Sequence, residues 1–256
     1  MSGAAPHAVR AARERAHYDA HARALDPAAM PPRPADEWEA AVLASAGPLH
    51  GRRVLELGCG DGSLSLALLA RGAQLTALDL SPASVALAEA RAARWAPDAH
   101  GRFLVAPAEA TGLPTGAFDL VVGKWVLHHL PLRSAAQEIV RLLAPRGRAV
   151  FVETSGLNPV LALARRLLPG RLGVARCGTE DERPLGGREL ALLARIFATV
   201  DVDFPVFWLA QMADRHVVQW RSPRFTRAAR RLDGALARLL PPVTRYGYWV
   251  RVTCAA

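Results

Sequence analysis

Two features of this sequence are best suited to chemistry: an acid-flanked glycine loop, and an acid that ends the following strand. The loop has the pattern G-x-G-x-G over residues 58–62 and directly follows an apolar run, with Glu56 two residues before its first glycine. Asp79 ends a second apolar run, Gln74–Leu78. Nucleotide-binding α/β folds place a ribose-binding carboxylate at about this distance. The pattern therefore predicts a nucleoside at the carboxyl edge of a parallel sheet.

The glycine spacing and the local charge indicate which nucleoside this is. A dinucleotide loop has its third glycine one position later, where this chain has Ser63. Glu56 and Asp61 also make the loop poorly suited to two negatively charged phosphates. A cationic ligand with an adenosine group, such as S-adenosylmethionine (SAM), suits an acid-flanked loop better. The alternative is a glycine turn that serves only tight packing.

Five strand–helix units that could position these residues extend from residue 52 to residue 154. We expect strands at Arg53–Leu57, Gln74–Leu78 with Asp79 at its end, Arg102–Ala106, Phe118–Val122 and Arg148–Thr154. Helices are expected from Ser63 to Gly72, from the Ser81-Pro82 cap to Trp95, and from Leu132 to Ala144. Strands that alternate with helices of this length predict a parallel sheet covered on both faces.

Further elements are expected on either side of this core. Before it come helices at Val9–Arg23 and Trp38–Ala46, joined by a proline-rich turn. After it the pattern predicts a short basic helix at Val160–Leu168 with Arg165 and Arg166, a helix at Arg188–Phe197, a strand at Val200–Phe204, a basic amphipathic helix at Arg221–Leu240 and an aromatic strand at Tyr246–Thr253. The apolar stripe of the Arg221–Leu240 helix consists of Phe225, Leu232, Leu236 and Leu239.

Composition narrows the class of protein. About half of the 256 residues are hydrophobic, which is enough for one substantial core, and no apolar run approaches the roughly 20 residues that cross a bilayer. Cys59, Cys177 and Cys254 have no paired spacing, so neither a disulfide framework nor a zinc site is indicated, and no metal is expected. Together with the lack of a secretory-type apolar stretch near the start, this predicts a cytoplasmic protein.

The positive charge is concentrated in the C-terminal part. The formal net charge is +9, and residues 156–256 carry 16 basic against 8 acidic side chains. Basic amphipathic helices of this kind can lie on anionic membrane surfaces. They can equally be ordinary surface helices, and the excess charge also fits an anionic substrate.

Five stretches in order resemble the class I SAM-dependent methyltransferases, in the branch similar to ubiquinone/menaquinone-biosynthesis and related small-molecule enzymes. They are VLELGCGDG (Val54–Gly62), ALDLS (Ala77–Ser81), AEATGLPTGAFDLVV (Ala108–Val122), VLHHLP (Val126–Pro131) and EIVRLLAPRGRAVFVE (Glu138–Glu153). The resemblance implies an α/β fold: a Rossmann-like, doubly wound sheet of seven strands, mostly parallel with an antiparallel last strand. The whole chain would be one methyltransferase domain, with an N-terminal helical cap over 1–50, a SAM-binding core over 51–155, and acceptor-covering lid insertions at 156–187 and 205–245.

The resemblance also implies roles for individual residues around SAM, which becomes S-adenosylhomocysteine after transfer. Gly58 and Gly60 would let the backbone approach the cofactor, and Glu56 would fix the loop and the amino-acid end of SAM. Asp79 would accept hydrogen bonds from the ribose hydroxyls. The adenine would pack on Leu80 and meet the loop of Ala108, Glu109 and Ala110, where Glu109 stands for the aspartate usual in the family. For Asp79 and Glu109 the alternatives are a helix-start acid and a solvated loop acid.

On the acceptor side, the candidate residues follow the fourth strand. Because adjacent histidines should not point the same way, we expect one of His128 and His129 to pack or bond backbone and the other to face the cleft. The resemblance, which places a polar active-site residue of the quinone-type enzymes at position 128, favours His128 as base or acceptor-orienting group. A satisfied structural histidine is the alternative. By the resemblance, Lys124 stands where related enzymes commonly have Ser or Asn beside the cofactor, and it would recognise an acidic or phenolate acceptor or else turn out to solvent. The resemblance also implies that Tyr18 closes over the cofactor, and the alternative is that it simply packs.

The function expected from these features is methyl transfer to a small hydrophobic acceptor such as a polyketide, quinone or lipid-like compound. Phe204, Phe207, Trp208 and Trp220 would line its pocket or pack in the core. The basic C-terminal part leaves a nucleic-acid methyltransferase open, although the chain lacks the Asn/Asp-Pro-Pro-aromatic motif and a Pro-Cys nucleophile. A non-catalytic SAM-binding protein and a nicotinamide dehydrogenase are further alternatives, and the glycine spacing disfavours the dehydrogenase. The oligomeric state is not predicted.

Overall fold

The central element of the fold is a seven-stranded sheet with the strand order β3-β2-β1-β4-β5-β7-β6. The computed structural model describes residues 4–159, 162–163, 184–205, 207–219 and 221–256. The strands are β1 (Arg53–Leu57), β2 (Gln74–Asp79), β3 (Gly101–Val105), β4 (Phe118–Lys124), β5 (Leu143–Thr154), β6 (Thr199–Asp203) and β7 (Trp249–Ala255). β1 to β5 pair in parallel, and β7 is antiparallel to both β5 and β6. The predicted fold class is confirmed.

Helices cover both faces of this sheet. They are α1 (Ala4–Arg23), α2 (Glu37–Ala46), α3 (Ser63–Leu69), α4 (Pro82–Trp95), α5 (Leu132–Leu142), α6 (Gly187–Leu193), α7 (Ala210–Ala213) and α8 (Pro223–Leu239). Inward-facing residues of α2, α3 and α4 form one buried layer with Val54, Leu120 and Val150 of the sheet. Those of α5 and α6 form a second layer with the intervening strand residues, among them Val121 and Phe151. Alternate strand residues thus serve opposite layers, as a sheet buried on both faces requires.

Several element boundaries differ from the predicted ones. The predicted Ser81-Pro82 cap is confirmed, because the Ser81 side chain accepts the Ser84 N–H. β5 begins at Leu143, within the predicted helix, and α6 ends at Leu193, four residues before the predicted end. The predicted aromatic strand begins late, since residues 241–246 form a 3-10 helix and β7 starts at Trp249.

Two predicted helices in the C-terminal part have different outcomes. The basic helix predicted at Val160–Leu168, with Arg165 and Arg166, lies outside the described residues apart from 162–163. The helix predicted at Arg221–Leu240 is confirmed as α8. Its apolar stripe faces outward, because Leu232 and Leu239 are exposed while Ala229 and Asp233 are buried against the protein.

The topology brings the predicted site residues to one edge. β1, β2 and β4 run parallel, so the residues after Leu57, Asp79 and Lys124 emerge at their common carboxyl edge. The antiparallel β7 starts at the same edge, because Trp249 pairs with Thr154 at the end of β5. Within the part of the chain that the structure describes, no helix has both the length and the apolar character needed to cross a bilayer.

Candidate active site

The glycine loop between β1 and α3 is fastened to the neighbouring strand. The N–H groups of Gly58 and Cys59 both donate to the carbonyl oxygen of Leu78, at 2.8 and 3.0 Å. Gly60 has a φ of +51°, which disfavours any residue with a Cβ, and a Cβ built there would meet no atom within 4 Å. The loop therefore presents bare backbone on an open side at Gly60.

Asp79 lies directly against this open loop. Its Oδ2 accepts the N–H of Gly60 at 3.0 Å, and its Oδ1 accepts the N–H of Ser81 at 2.9 Å. Burial raises the pKa of the Asp79 carboxyl above its usual value, while backbone N–H donors lower it in part. A largely buried carboxylate with remaining acceptor capacity thus stands at the tip of β2.

Glu56 is almost fully buried behind the loop, at 2% exposure. Its Oε2 accepts the hydroxyl of Ser65 at 2.5 Å. Burial raises the Glu56 pKa to about 8, against the hydrogen bond from Ser65 and the charge of Lys124, which lower it. Without a bound cation this acid is therefore mostly protonated at neutral pH.

Lys124 does not turn out to solvent, which corrects one of its two predicted placements. Its side chain is only 16% exposed, and its Nζ lies 2.8 Å from Glu39 Oε1 and 3.6 Å from Asp36 Oδ2. Arg33 also pairs with Glu39, which is buried at the start of α2. These contacts join α2 to the end of β4 and neutralise the ammonium group.

The loop after β3 adjoins the tip of β2. The N–H of Ala106 donates to the Asp79 carbonyl oxygen at 3.1 Å, and the N–H of Ala110 donates to Pro107 at 3.2 Å. Ala108 is buried, Leu80 and Glu109 are half-buried, and Ala110 is exposed. The predicted adenine-side residues therefore stand at the same edge as the glycine loop, and their contacts with a cofactor stay a prediction.

His128 is held by a buried glutamate from β5. Its Nδ1 lies 2.6 Å from Glu153 Oε2, while Glu153 Oε1 accepts the N–H groups of Val126 and Leu127 at 2.9 and 2.7 Å. A carboxylate can only accept, so Nδ1 carries the proton and Nε2 is the proton-accepting nitrogen. This pair has the geometry of a base and the group that orients it.

His129 is held from the other side, by α1. The Tyr18 hydroxyl lies 3.1 Å from His129 Nε2, and Glu14 Oε1 lies 3.3 Å from its Nδ1. The prediction that the two histidines point apart is wrong, because their ring centroids are 4.1 Å apart at an interplanar angle of 38°. A 3-10 turn over Leu127–His129, with separate glutamate partners for the two rings, allows this arrangement.

α1 is clamped onto the site at both of its ends. Near its start, Arg10 donates to the carbonyl oxygen of His128 at 3.0 Å. Near its end, Asp19 Oδ1 accepts the Ser81 hydroxyl at 2.6 Å and the Ala83 N–H at 3.1 Å. The helix therefore bridges Ser81, at the start of α4, and the two histidines.

Four tryptophans gather at the carboxyl edge beside β4. This tryptophan cluster consists of Trp38, Trp125, Trp208 and Trp249, with contacting ring centroids 5.0–6.2 Å apart. Of the predicted pocket residues, Trp208 is part of the cluster, Phe207 is buried, Phe204 packs on the opposite layer, and Trp220 lies outside the described residues.

Sequence reasoning missed several residues that contact the predicted ones. Glu153 is the last residue of the stretch Glu138–Glu153. An acid at the end of an apolar strand could have indicated that it lies at the site. Glu14 and Asp19 carried no local signal of their contacts with His129 and Ser81, which form only through the folded chain. Glu39 did carry one, because it follows Asp36 by three residues and completes a capping box at the start of α2. Among the described residues no group of three or more His, Cys, Asp or Glu could hold a metal ion.

The central segment of the chain matches the model of a known protein family. Residues 55–151 match the model of the family described as "Methyltransferase domain". The ubiquinone biosynthesis O-methyltransferase of Bordetella parapertussis is 34% identical over 118 residues, which cover 46% of this chain and 48% of that protein. Residues 55–151 are therefore similar to the methyltransferase domains of this family. The chain spans about half the length of the curated relatives it matches.

Solved structures share the fold of this methyltransferase domain at low identity. A geranyl diphosphate C-methyltransferase from Streptomyces coelicolor A3(2) aligns with a TM-score of 0.55 and 18% identity, covering 84% of this chain and 76% of the other. The [4+2]-cyclase SpnF aligns with a TM-score of 0.52 and 19% identity, covering 81% and 75%. Because this fold hosts different chemistries, the reaction has to be argued from the residues of the site.

Proposed function

We propose that this protein is a SAM-dependent methyltransferase that methylates a small, mainly hydrophobic acceptor. The observation that carries the proposal is Asp79, a largely buried carboxylate set against the bare backbone of Gly60. No phosphate-binding basic side chain occurs in loop residues 58–62, and two acids flank or enter it. These residues fit a cationic nucleoside better than a dinucleotide.

SAM would be held mainly by backbone and carboxylates. Asp79 would bind the ribose hydroxyls, and Gly58 and Gly60 would allow close approach of the loop. Glu56 would meet the amino-acid end, and Leu80, Ala108, Glu109 and Ala110 would surround the adenine. Tyr18 would close the site from α1, and Lys124 would stand beside the cofactor with its charge balanced by Glu39.

The chemistry that SAM supplies is a methyl group on a sulfonium, open to in-line displacement, so most of the catalysis is positioning. His128 would accept a proton from the acceptor through Nε2 as its nucleophilic atom attacks. Glu153 would stabilise the imidazolium that forms and keep the ring oriented. His129, with Tyr18 and Glu14, would support that ring from the α1 side.

The acceptor class follows from the surroundings of this edge. The tryptophan cluster makes the region beside β4 strongly apolar, which favours an apolar acceptor. The matched relatives carry the name ubiquinone biosynthesis O-methyltransferase, which agrees with a small-molecule acceptor.

Cofactor binding gives the most direct test. Titration calorimetry with SAM and with NAD should show SAM binding alone, and Asp79→Asn should weaken SAM binding by about tenfold or more, the usual scale for a lost charged hydrogen bond. Asp98→Asn is the matched control, an exposed acid near the amino edge of the sheet. NAD binding tighter than SAM, or an equal loss in both variants, would contradict the proposal.

We also propose that the whole chain works as one unit: residues 1–50 form the cap, 51–155 the core, and 156–187 and 205–245 the acceptor-covering lids. The clamp of α1 and the position of Trp208 in the tryptophan cluster support this division. A cytoplasmic location is proposed as well, supported by Cys59 and Cys254, which are free thiols in the described part.

Contact with an anionic membrane is a further part of the proposal. α8 carries exposed arginines, and its apolar stripe includes Leu232 and Leu239, which are 53% and 77% exposed. An apolar stripe beside basic side chains is the pattern of helices that lie in a membrane interface. Such contact would bring the enzyme to a lipid-like acceptor.

A further inference from the structure

A buried acid outside the proposed catalytic residues has no hydrogen-bond partner in the part of the chain that the structure describes. Asp214 follows α7 directly and begins a π turn over Asp214–Val218. Its side chain is 0% exposed, and within the described part of the chain neither of its carboxylate oxygens has a hydrogen-bond partner. An ionised carboxylate withdrawn from water is strongly unfavourable without a donor or a counter-charge.

A second unsatisfied acceptor lies one turn earlier. Gln211 is 4% exposed, and its Oε1 has no hydrogen-bond partner among the described residues. Its Nε2 donates to Asp233 Oδ2 at 3.1 Å, which fixes the orientation of the amide. Because residues three apart share one side of a helical turn, Gln211 and Asp214 face the same way.

The carboxylate of Asp233 is occupied by hydrogen bonds from the protein itself. It comes from α8 and accepts the N–H groups of Leu209, Ala210 and Gln211, at 3.2, 2.7 and 3.0 Å. These bonds satisfy the backbone at the start of α7. Asp233 is therefore structural, and Asp214 and Gln211 Oε1 are the acceptors left over.

The segment lies beside the proposed acceptor site. Trp208 belongs to the tryptophan cluster, and Met212 packs against the same layer of the core. Burial raises the pKa of Glu37 beside this segment, and the charges of Asp36 and Asp233 raise it further, against a hydrogen bond from Trp208 and the charge of Arg230.

We propose that Asp214 and Gln211 Oε1 form a subsite for a protonated primary or secondary amine carried by the acceptor. An ammonium group donates the hydrogen bonds that these oxygens lack and neutralises the carboxylate. The inference rests on the proposed function and deepens it, since the acceptor becomes an apolar molecule that carries an amine.

The test measures amine preference by titration calorimetry on the full chain at pH 7. The probes are hexylamine, hexanol of the same length, and hexyltrimethylammonium, which is cationic but has no N–H. Wild type should bind hexylamine about tenfold or more tightly than hexanol, and more tightly than hexyltrimethylammonium. Equal binding of hexylamine and hexanol by wild type overturns the subsite, and equal binding of the two cations overturns the hydrogen-bonding role.

Variants assign the preference to these residues. Asp214→Asn should reduce hexylamine binding to the level of hexanol, because the carboxamide cannot neutralise an ammonium group. Gln211→Met should weaken hexylamine binding about threefold. Asp201→Asn changes an exposed acid of β6 and should leave hexylamine binding unchanged. Retained amine preference in Asp214→Asn, or equal loss in Asp201→Asn, overturns the assignment.

SAM titration of the same samples separates the two proposals. Loss of amine preference with SAM binding intact supports the subsite alone. Absence of SAM binding in wild type refutes the proposed function, while the amine measurements still decide whether Asp214 binds a cation.

Discussion

Glu153 makes the catalytic assignment of His128 testable at the level of single residues. It accepts from His128 Nδ1 and is 0% exposed, so its loss is not repaired by water. In Glu153→Gln the new amide can donate to Nδ1 and select the tautomer whose Nε2 carries the proton. We expect kcat to fall by about a hundredfold, a typical loss for general base catalysis, with SAM affinity unchanged.

A double-mutant comparison distinguishes this positioning role from a structural one. His128→Gln should lose about as much activity as Glu153→Gln, and the double variant should be no worse than either, because the two residues act as one unit. The affinity for SAM, measured by calorimetry, should be unchanged in both single variants. Additive losses would contradict a shared role.

Glu56 predicts a stability change with pH. Its folded pKa is about 8 because of burial, against a usual value of 4.5. Between these values the folded state holds a proton that the unfolded state has lost, so the free energy of unfolding falls as pH rises, by at most about 1.4 kcal/mol per unit. Glu56→Gln should remove this slope, and Glu89→Gln, an exposed acid, should keep it.

Urea unfolding between pH 5 and pH 8 measures the Glu56 effect. The difference in free energy of unfolding between Glu56→Gln and wild type should grow in favour of the variant as pH rises. A difference that stays constant over this range would show that Glu56 is already ionised at pH 5. SAM binding should also release a proton in wild type, since a nearby cation lowers the Glu56 pKa.

Contacts near both ends of α1 hold the whole helix against the site. Asp19 has its pKa lowered by the hydrogen bonds from Ser81 and Ala83, against a smaller effect of burial. Asp19→Asn should therefore loosen the end of α1, speed hydrogen exchange over residues 4–23, and weaken SAM binding severalfold. Asp26→Asn is the control, because the Asp26 side chain caps a short 3-10 helix by accepting the N–H of Ala28. Unchanged exchange in Asp19→Asn would mean that other contacts hold α1.

What the sequence could predict at this scale depended on the range of the contact. The Ser81 cap, the glycine loop and β2 follow from residues that are neighbours in the chain, and local rules place them. The contact of Glu14 with His129 joins residues 115 apart, and periodicity carries no information about it. The apolar stripe of α8 could be predicted from the sequence. The face of α8 that packs against the protein could not, because it is set by Asp233, which accepts an N–H group at the start of α7.

At the scale of the whole molecule, charge and apolar exposure coincide. Of the exposed large hydrophobic side chains in the described residues, Leu209, Phe225, Leu232, Leu239, Leu240 and Tyr246 belong to the segment after β6. The same segment contains the arginines of α8. The core around β1 to β5 is nearly neutral, so the positive charge and the exposed apolar side chains of the described residues are concentrated in the segment after β6. This asymmetry predicts an orientation on an anionic surface.

Vesicle binding tests that orientation. The protein should sediment with phosphatidylglycerol vesicles and much less with phosphatidylcholine, and 0.5 M salt should weaken the binding. Replacing Arg227 and Arg231 by Gln should cost about 2 kcal/mol, from about 1 kcal/mol per basic residue near the surface. Leu232→Ser with Leu239→Ser should also release the protein, whereas Val202→Ser, an exposed apolar residue of β6, should not. Equal binding to both lipids, or release by Val202→Ser, would show that α8 is an ordinary surface helix.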